Sequence, residues 1–173
     1  MATITLTTDL GHKDFYVAAV KAKLIESMDQ SRIIDISHNI EPFNIIQGAY
    51  MLSNVYHEFP EGTIHLVGID TSLPSKRHII LKQNGHFFIG PDNGVFSLMF
   101  KGEYDELHEM IIESDSSSMF TFPLKELYVK LAAFIATGGD LTGICEKTDA
   151  ISEKLAVQPI RRGNMIQGSI IHI

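Results

Sequence analysis

Four acidic side chains close or interrupt short apolar runs. Asp9 ends ITLTTD, Asp70 ends IHLVGID, Asp92 follows FFIGP, and Asp35 lies inside IIDISH. A carboxylate just beyond a strand can accept hydrogen bonds from two hydroxyls, and so hold a vicinal diol such as that of a ribose. It can equally cap the helix or turn that follows. For Asp9, followed by Leu10-Gly11 and then a helical pattern, both uses fit equally well. Asp92, in Pro-Asp-Asn-Gly, divides evenly between a turn role and a site role. Asp35 reads as structural because it lies within its strand. Asp70 and Arg77 flank a loop containing Pro74. A carboxylate and a guanidinium so placed can form a bridging pair. On residue types alone, that pair reads first as a loop-ordering salt bridge.

Other chemistries lack their residues. The eight histidines show no HExxH or comparable ligand spacing, so no metal site is expected. The single cysteine, Cys145, excludes an intrachain disulfide and a cysteine-based zinc cage. There is no GxGxxG, no P-loop and no GxSxG. Read from these residue types alone, Asp9, His38, Asp70 and Asp92 could also serve a metal-dependent hydrolase.

The acids need elements to position them. Residues 3–8, 33–37 and 63–70 read as strands, and residues 14–28 and 44–59 as helices, with Asp14 an N-cap or first-turn acid. Alternation of this kind makes an α/β protein with a mainly parallel central sheet flanked by helices. Ligands then bind beyond the carboxyl ends of the strands, where Asp9 and Asp70 fall. Asn84-Gly85 is a strong hairpin signal between residues 78–82 and 86–89. Residues 106–113 read as a further strand and 114–118 as a polar loop. Pro123 opens a helix over 124–137, stopped by Gly138-Gly139. Residues 1–156 make one domain. Residues 157–173 read as a linker (VQPIRRG) and the first strand (GSIIHI) of a second, β-rich domain.

At 173 residues, 45% hydrophobic and 20% charged, the chain suffices for one compact domain. A net charge of −7 without a basic cluster argues against a nucleic-acid partner. No apolar run approaches the ~20 residues that span a bilayer, and MATITLTTD has no signal-peptide pattern. A soluble, cytoplasmic protein is expected, and composition says nothing more about function.

Four blocks, in order, resemble a known family. TTDLGHKDFYVAAVKAKL, IDISHNIEPFNIIQGAYML, FPEGTIHLVGIDTSLPSKR and FFIGPDNGVFS are similar to the motifs of the S-adenosyl-L-methionine (SAM) hydroxide adenosyltransferases, which are related to fluorinase and chlorinase. AAFIATGGDL resembles a fifth. The resemblance implies attack of water on ribose C5′ of SAM, giving adenosine and L-methionine without a cofactor. By position it implies that Asp9 holds the ribose hydroxyls. Phe43 and Phe122 would be walls, Tyr16 would lie near the methionine end, and Asp70 and Arg77 would belong to the water-activating set. It also implies a homotrimer whose small β-domain completes the site across a subunit interface.

Two positions depart from the family pattern. The third member of the water-activating set is a histidine, and Pro123 stands there in TFPLKEL. The DPGVG loop is altered to Asp70-Thr-Ser-Leu-Pro. A catalytically impaired protein that binds SAM or adenosine is therefore the alternative reading.

Overall fold

The computed structural model describes residues 1–71, 77–111, 121–154, 159–168 and 170–171. Its centre is a seven-stranded sheet. Strand β1 (Thr3–Thr8) pairs in parallel with β2 (Arg32–Ser37) on one side and β3 (Ile64–Gly68) on the other. β3 pairs in parallel with β5 (His86–Pro91). The hairpin partner β4 (His78–Gln83), then β6 (Glu106–Met110) and β7 (Cys145–Lys147), extend the sheet antiparallel. The order is β2-β1-β3-β5-β4-β6-β7. The chain is thus the expected α/β fold, with its parallel strands grouped in one half.

Alternation of side chains divides the core in two. Ile4, Leu6, Leu66, Ile80 and Ile89 face helix α1 (Tyr16–Ser27) and helix α4 (Val129–Ala136). Val67, Ile79, Leu81 and Phe88 face helix α2 (Ile45–Ser53) and the short helix α3 (Val95–Phe100). The period of two that sends Leu66 one way and Val67 the other is the geometry of a strand covered on both faces.

Several boundaries differ from the sequence reading. Asp14 is not the N-cap of α1. Phe15 is, and Asp14 accepts the Phe15 N–H at 2.7 Å instead. Helix α2 is capped by Asn44, whose side chain accepts from Gln47 N–H, and ends at Ser53 before a 3-10 turn (Tyr56–Glu58). The expected helix over 124–137 is a π-helical turn (Leu124–Tyr128) running into α4. That turn places the fully buried Tyr128 hydroxyl 2.7 Å from His78 Nδ1. Asn84 and Gly85 both adopt positive φ, as a tight two-residue hairpin requires. The strand expected over 106–113 ends at Met110, and its last two positions, with the loop 114–118, lie outside the described residues.

Part of the segment read as a linker forms a strand. Ile160–Arg162 (β8) pairs antiparallel with Met165–Gln167 (β9) around Gly163-Asn164, as a sheet of its own. In GSIIHI, Gly168, Ile170 and Ile171 are not in a strand, and the rest lies outside the described residues.

Candidate functional site

Helix α1 packs on one face of the sheet and α2 on the other, while β2 and β3 lie on opposite sides of β1. The winding therefore reverses at β1, and a crevice opens beyond the carboxyl ends of β1 and β3. Asp9 is the first residue after β1, and Asp70 lies two residues after β3. Asp9 Oδ2 accepts the main-chain N–H of Phe43 at 2.9 Å and of Asp70 at 3.1 Å. Both donors hold positive φ, +66° at Phe43 and +52° at Asp70. Non-glycine residues rarely adopt that conformation, and it persists where neighbouring contacts fix it. One carboxylate oxygen thus locks two loops. Asp9 Oδ1 has no hydrogen-bond partner among the described residues. Asp9 does not cap α1, so one of its two sequence readings is removed.

A cleft of about 570 Å³ lies at this end, lined by Phe43, Ile45, Asp70, Asp92 and Asn93 together with residues 152–154. Phe43 is 63% exposed, so its ring is available as a wall. Asn93 is fixed by donating to the Ile69 carbonyl at 3.0 Å and accepting from Val95 N–H at 3.1 Å. Tyr16 and Phe122 meet edge to face, ring centres 5.5 Å apart, and Phe15 stacks on Tyr16 at 4.6 Å.

Arg77 is held elsewhere than the seven-residue spacing suggests. Its guanidinium lies 2.7 Å from Glu109 and 3.4 Å from Asp92, and donates to the Ala150 carbonyl at 3.1 Å. Hairpin register explains this. His78 faces Pro91, so the next pair outward is Arg77 with Asp92, whose N–H donates to the Arg77 carbonyl at 2.7 Å. Asp92 is buried and turns its other oxygen to Ser152 N–H at 2.8 Å. Arg77 thus reaches the cleft through Asp92, which lines it.

A strap over residues 149–154 forms the far wall. Tyr104 donates to the Asp149 carbonyl, Ser152 N–H bonds Asp92, and Lys154 N–H bonds Ser97 Oγ at 2.9 Å. Gly94, at φ +99°, lies under the Lys154 stem so closely that a Cβ would meet its Cγ at 2.1 Å. No side-chain motif marks the strap, because it is held largely by main-chain groups.

Behind Asp9, His38 is buried, with Nδ1 2.7 Å from Thr8 Oγ1 and Nε2 3.1 Å from Asp35 Oδ1. The Asp35 contact is within ion-pair range but bent off a linear hydrogen bond. Burial holds His38 below the ordinary histidine range, although Asp35 opposes the shift. Burial works against ionisation of Asp35, yet Lys21 and His38 outweigh it and keep that carboxyl low. Asp35 thus pairs with both Lys21 and His38 from within β2. No cluster of three or more metal-ligating side chains occurs among the described residues. No described helix is long and apolar enough to cross a membrane.

Residues 4–145 match the family model for the SAM hydroxide adenosyltransferase N-terminal domain. The chain belongs to this family. An (R)-S-adenosyl-L-methionine hydrolase from Methanocaldococcus jannaschii is 32% identical over 94% of the chain and 65% of its own length. A hydrolase of the same name from Thermus thermophilus is 32% identical over 57% of the chain and 38% of its own length. A fluorinase from Actinopolyspora mzabensis is 33% identical over 35% of the chain. The crystal structure of an uncharacterized conserved protein from Thermotoga maritima superimposes with a TM-score of 0.81 at 28% identity, covering 91% of the chain and 64% of that structure. The chain spans about two thirds or less of the length of these hydrolases. Pro123 opens the π-helical turn over Leu124–Tyr128.

Proposed function

We propose that this chain carries the ribose- and water-handling wall of a SAM hydrolase that forms adenosine and L-methionine. The observation that carries the reading is the Asp9 carboxylate at the sheet's switch point. One oxygen fixes the Phe43 and Asp70 loops, and the other has no partner among the described residues. That second oxygen can accept ribose hydroxyls while Phe43 covers the sugar. Asp70, on the locked loop, faces the cleft. There it accepts a hydrogen bond from water and aligns the water with C5′. The water oxygen forms a bond to C5′, the C5′–S bond breaks, and its electron pair leaves on sulfur as the neutral thioether of methionine. The proton lost by water passes to Asp70 and then to solvent. Because the leaving group is already a sulfonium, no acid, metal or cofactor is required at sulfur. Alignment of the attack supplies the rate. A carboxylate beside the nucleophile also favours water over a halide anion, whose repulsion grows in a low-dielectric pocket. A homotrimer in the cytoplasm, with the site completed by a neighbouring subunit, accords with this reading.

Two observations favour a slow or non-turning variant. Pro123 can neither transfer a proton nor donate a side-chain hydrogen bond. Arg77 is shared between Asp92 and Glu109, which neutralise its charge. Loss of a general base costs about 10²-fold or more. Incubation with SAM in H₂¹⁸O, followed by chromatography with mass detection, tests the proposal. Label in adenosine, lost in Asp70→Asn, is the expected result. Binding without product would establish the non-turning reading. Activity abolished by a chelator would replace both with the metal-dependent one.

A further inference from the structure

We propose that Asp35, His38 and Thr8 form a positioning chain that sets the Asp9 carboxylate, so that His38 governs ribose recognition without touching the ligand. The inference rests on the ribose role of Asp9 proposed above. His38 grips the chain on both sides of Asp9. Its ring bonds Thr8 Oγ1 at 2.7 Å, and its carbonyl accepts the Gly11 N–H at 2.7 Å. Thr8 Oγ1 also accepts the Leu10 N–H at 3.4 Å. In the proposed chain the hydroxyl donates to His38 Nδ1, and the ring proton sits on Nε2, toward Asp35 Oδ1. Lys21 holds the other Asp35 oxygen. The order of contacts is Lys21, Asp35, His38, Thr8, and then the Asp9 turn. Thr8 is fully buried, so solvent is not at hand to replace the ring as a partner. The Asp9 N–H bonds the Gly68 carbonyl at 3.3 Å, tying the same turn to β3. A carboxylate that must meet two hydroxyls while holding two N–H groups needs such support, because small misplacement erodes each contact.

The variants are Thr8→Val, which keeps volume and removes the hydroxyl, His38→Leu, and His38→Asn, which keeps an acceptor near the place of Nδ1. Amide hydrogen exchange is read at Phe43 and Asp70, with Leu66 in β3 as internal control. Binding of adenosine and of 2′,3′-dideoxyadenosine is measured in parallel. In Thr8→Val and His38→Leu, exchange at Phe43 and Asp70 should rise about tenfold over Leu66, as for one lost hydrogen bond. Adenosine affinity should fall about tenfold, with the dideoxy analogue unchanged. His38→Asn should recover much of both effects. Unchanged exchange at Phe43 and Asp70 in Thr8→Val overturns the positioning chain. Equal loss of both nucleosides overturns it as well, since that marks general damage. Asp9→Ala separates the two claims. If it leaves the preference for adenosine over the dideoxy analogue intact, the ribose reading fails, while the exchange data still decide whether His38 positions the turn.

Discussion

Acidification should destabilise the fold well above the pH at which ordinary carboxylates titrate, and His65 sets the size of the effect. His65 is fully buried on β3, stacked on Phe88 with ring centres 4.7 Å apart. Its Nδ1 lies 2.7 Å from Thr5 Oγ1 and its Nε2 3.2 Å from His86 Nδ1. Burial, with a smaller contribution from His86, pushes its pKa down to about 3. The unfolded chain, with a pKa near 6.5, takes up a proton on acidification that the folded chain refuses. Stability is therefore full above the unfolded value and falls as pH drops from about 6.5 toward 3. Linkage gives a loss of about 2 kcal/mol between pH 7 and pH 5 and about 3 kcal/mol by pH 4, at a slope near 1.4 kcal/mol per pH unit. His86 and His38, both lowered chiefly by burial, add in the same direction. Urea unfolding at pH 7, 6 and 5 reads the slope. His65→Phe, which retains the stack on Phe88, should remove most of it even if it lowers stability at pH 7. An unchanged slope in that variant, or a flat wild-type profile, would refute the reasoning.

Other consequences follow for the cleft and its supports. Asp70→Asn should reduce adenosine formation by at least about 10²-fold while changing SAM affinity little, and an equal loss of affinity would assign Asp70 to binding instead. Gly94→Ala should destabilise the chain by about 1–2 kcal/mol in urea unfolding, because φ +99° disfavours a side chain and Lys154 occupies the space. Limited proteolysis of that variant should show faster cutting within residues 149–154 than in wild type. Tyr128→Phe should cost about 1–3 kcal/mol by stripping the hydroxyl from His78 Nδ1 at a fully buried position, read as a lowered urea midpoint.

Elements governed by local rules were legible in the sequence. Asn84-Gly85 announced its hairpin, and the strand–helix alternation placed Asp9 and Asp70 at carboxyl ends. The partners of those acids were not legible. Asp9 spends one oxygen on main-chain groups of residues 43 and 70, and no side-chain pattern records a backbone acceptor. The partners of Arg77 were available but hidden by proximity along the chain. The spacing pointed to Asp70, whereas counting outward from the hairpin turn pairs it with Asp92. The π-helical turn after Pro123 left no local mark either, since Leu124–Tyr128 has ordinary helical composition. The contact that its last residue, Tyr128, makes with His78 is tertiary and has no trace in the local sequence.

The strap gives the fold and the cleft different limits along the chain. The family match ends at residue 145, the first residue of β7, and by then six of the seven strands are complete. The cleft is closed only by Ser152, Glu153 and Lys154. A fragment cut at the family boundary would keep strands β1 to β6 but lose most of β7 and a wall of the cleft, along with a partner for Asp92 and another for Arg77. Expression boundaries and searches for relatives of this cleft should therefore be drawn to include the strap, because an intact sheet does not guarantee an intact cleft.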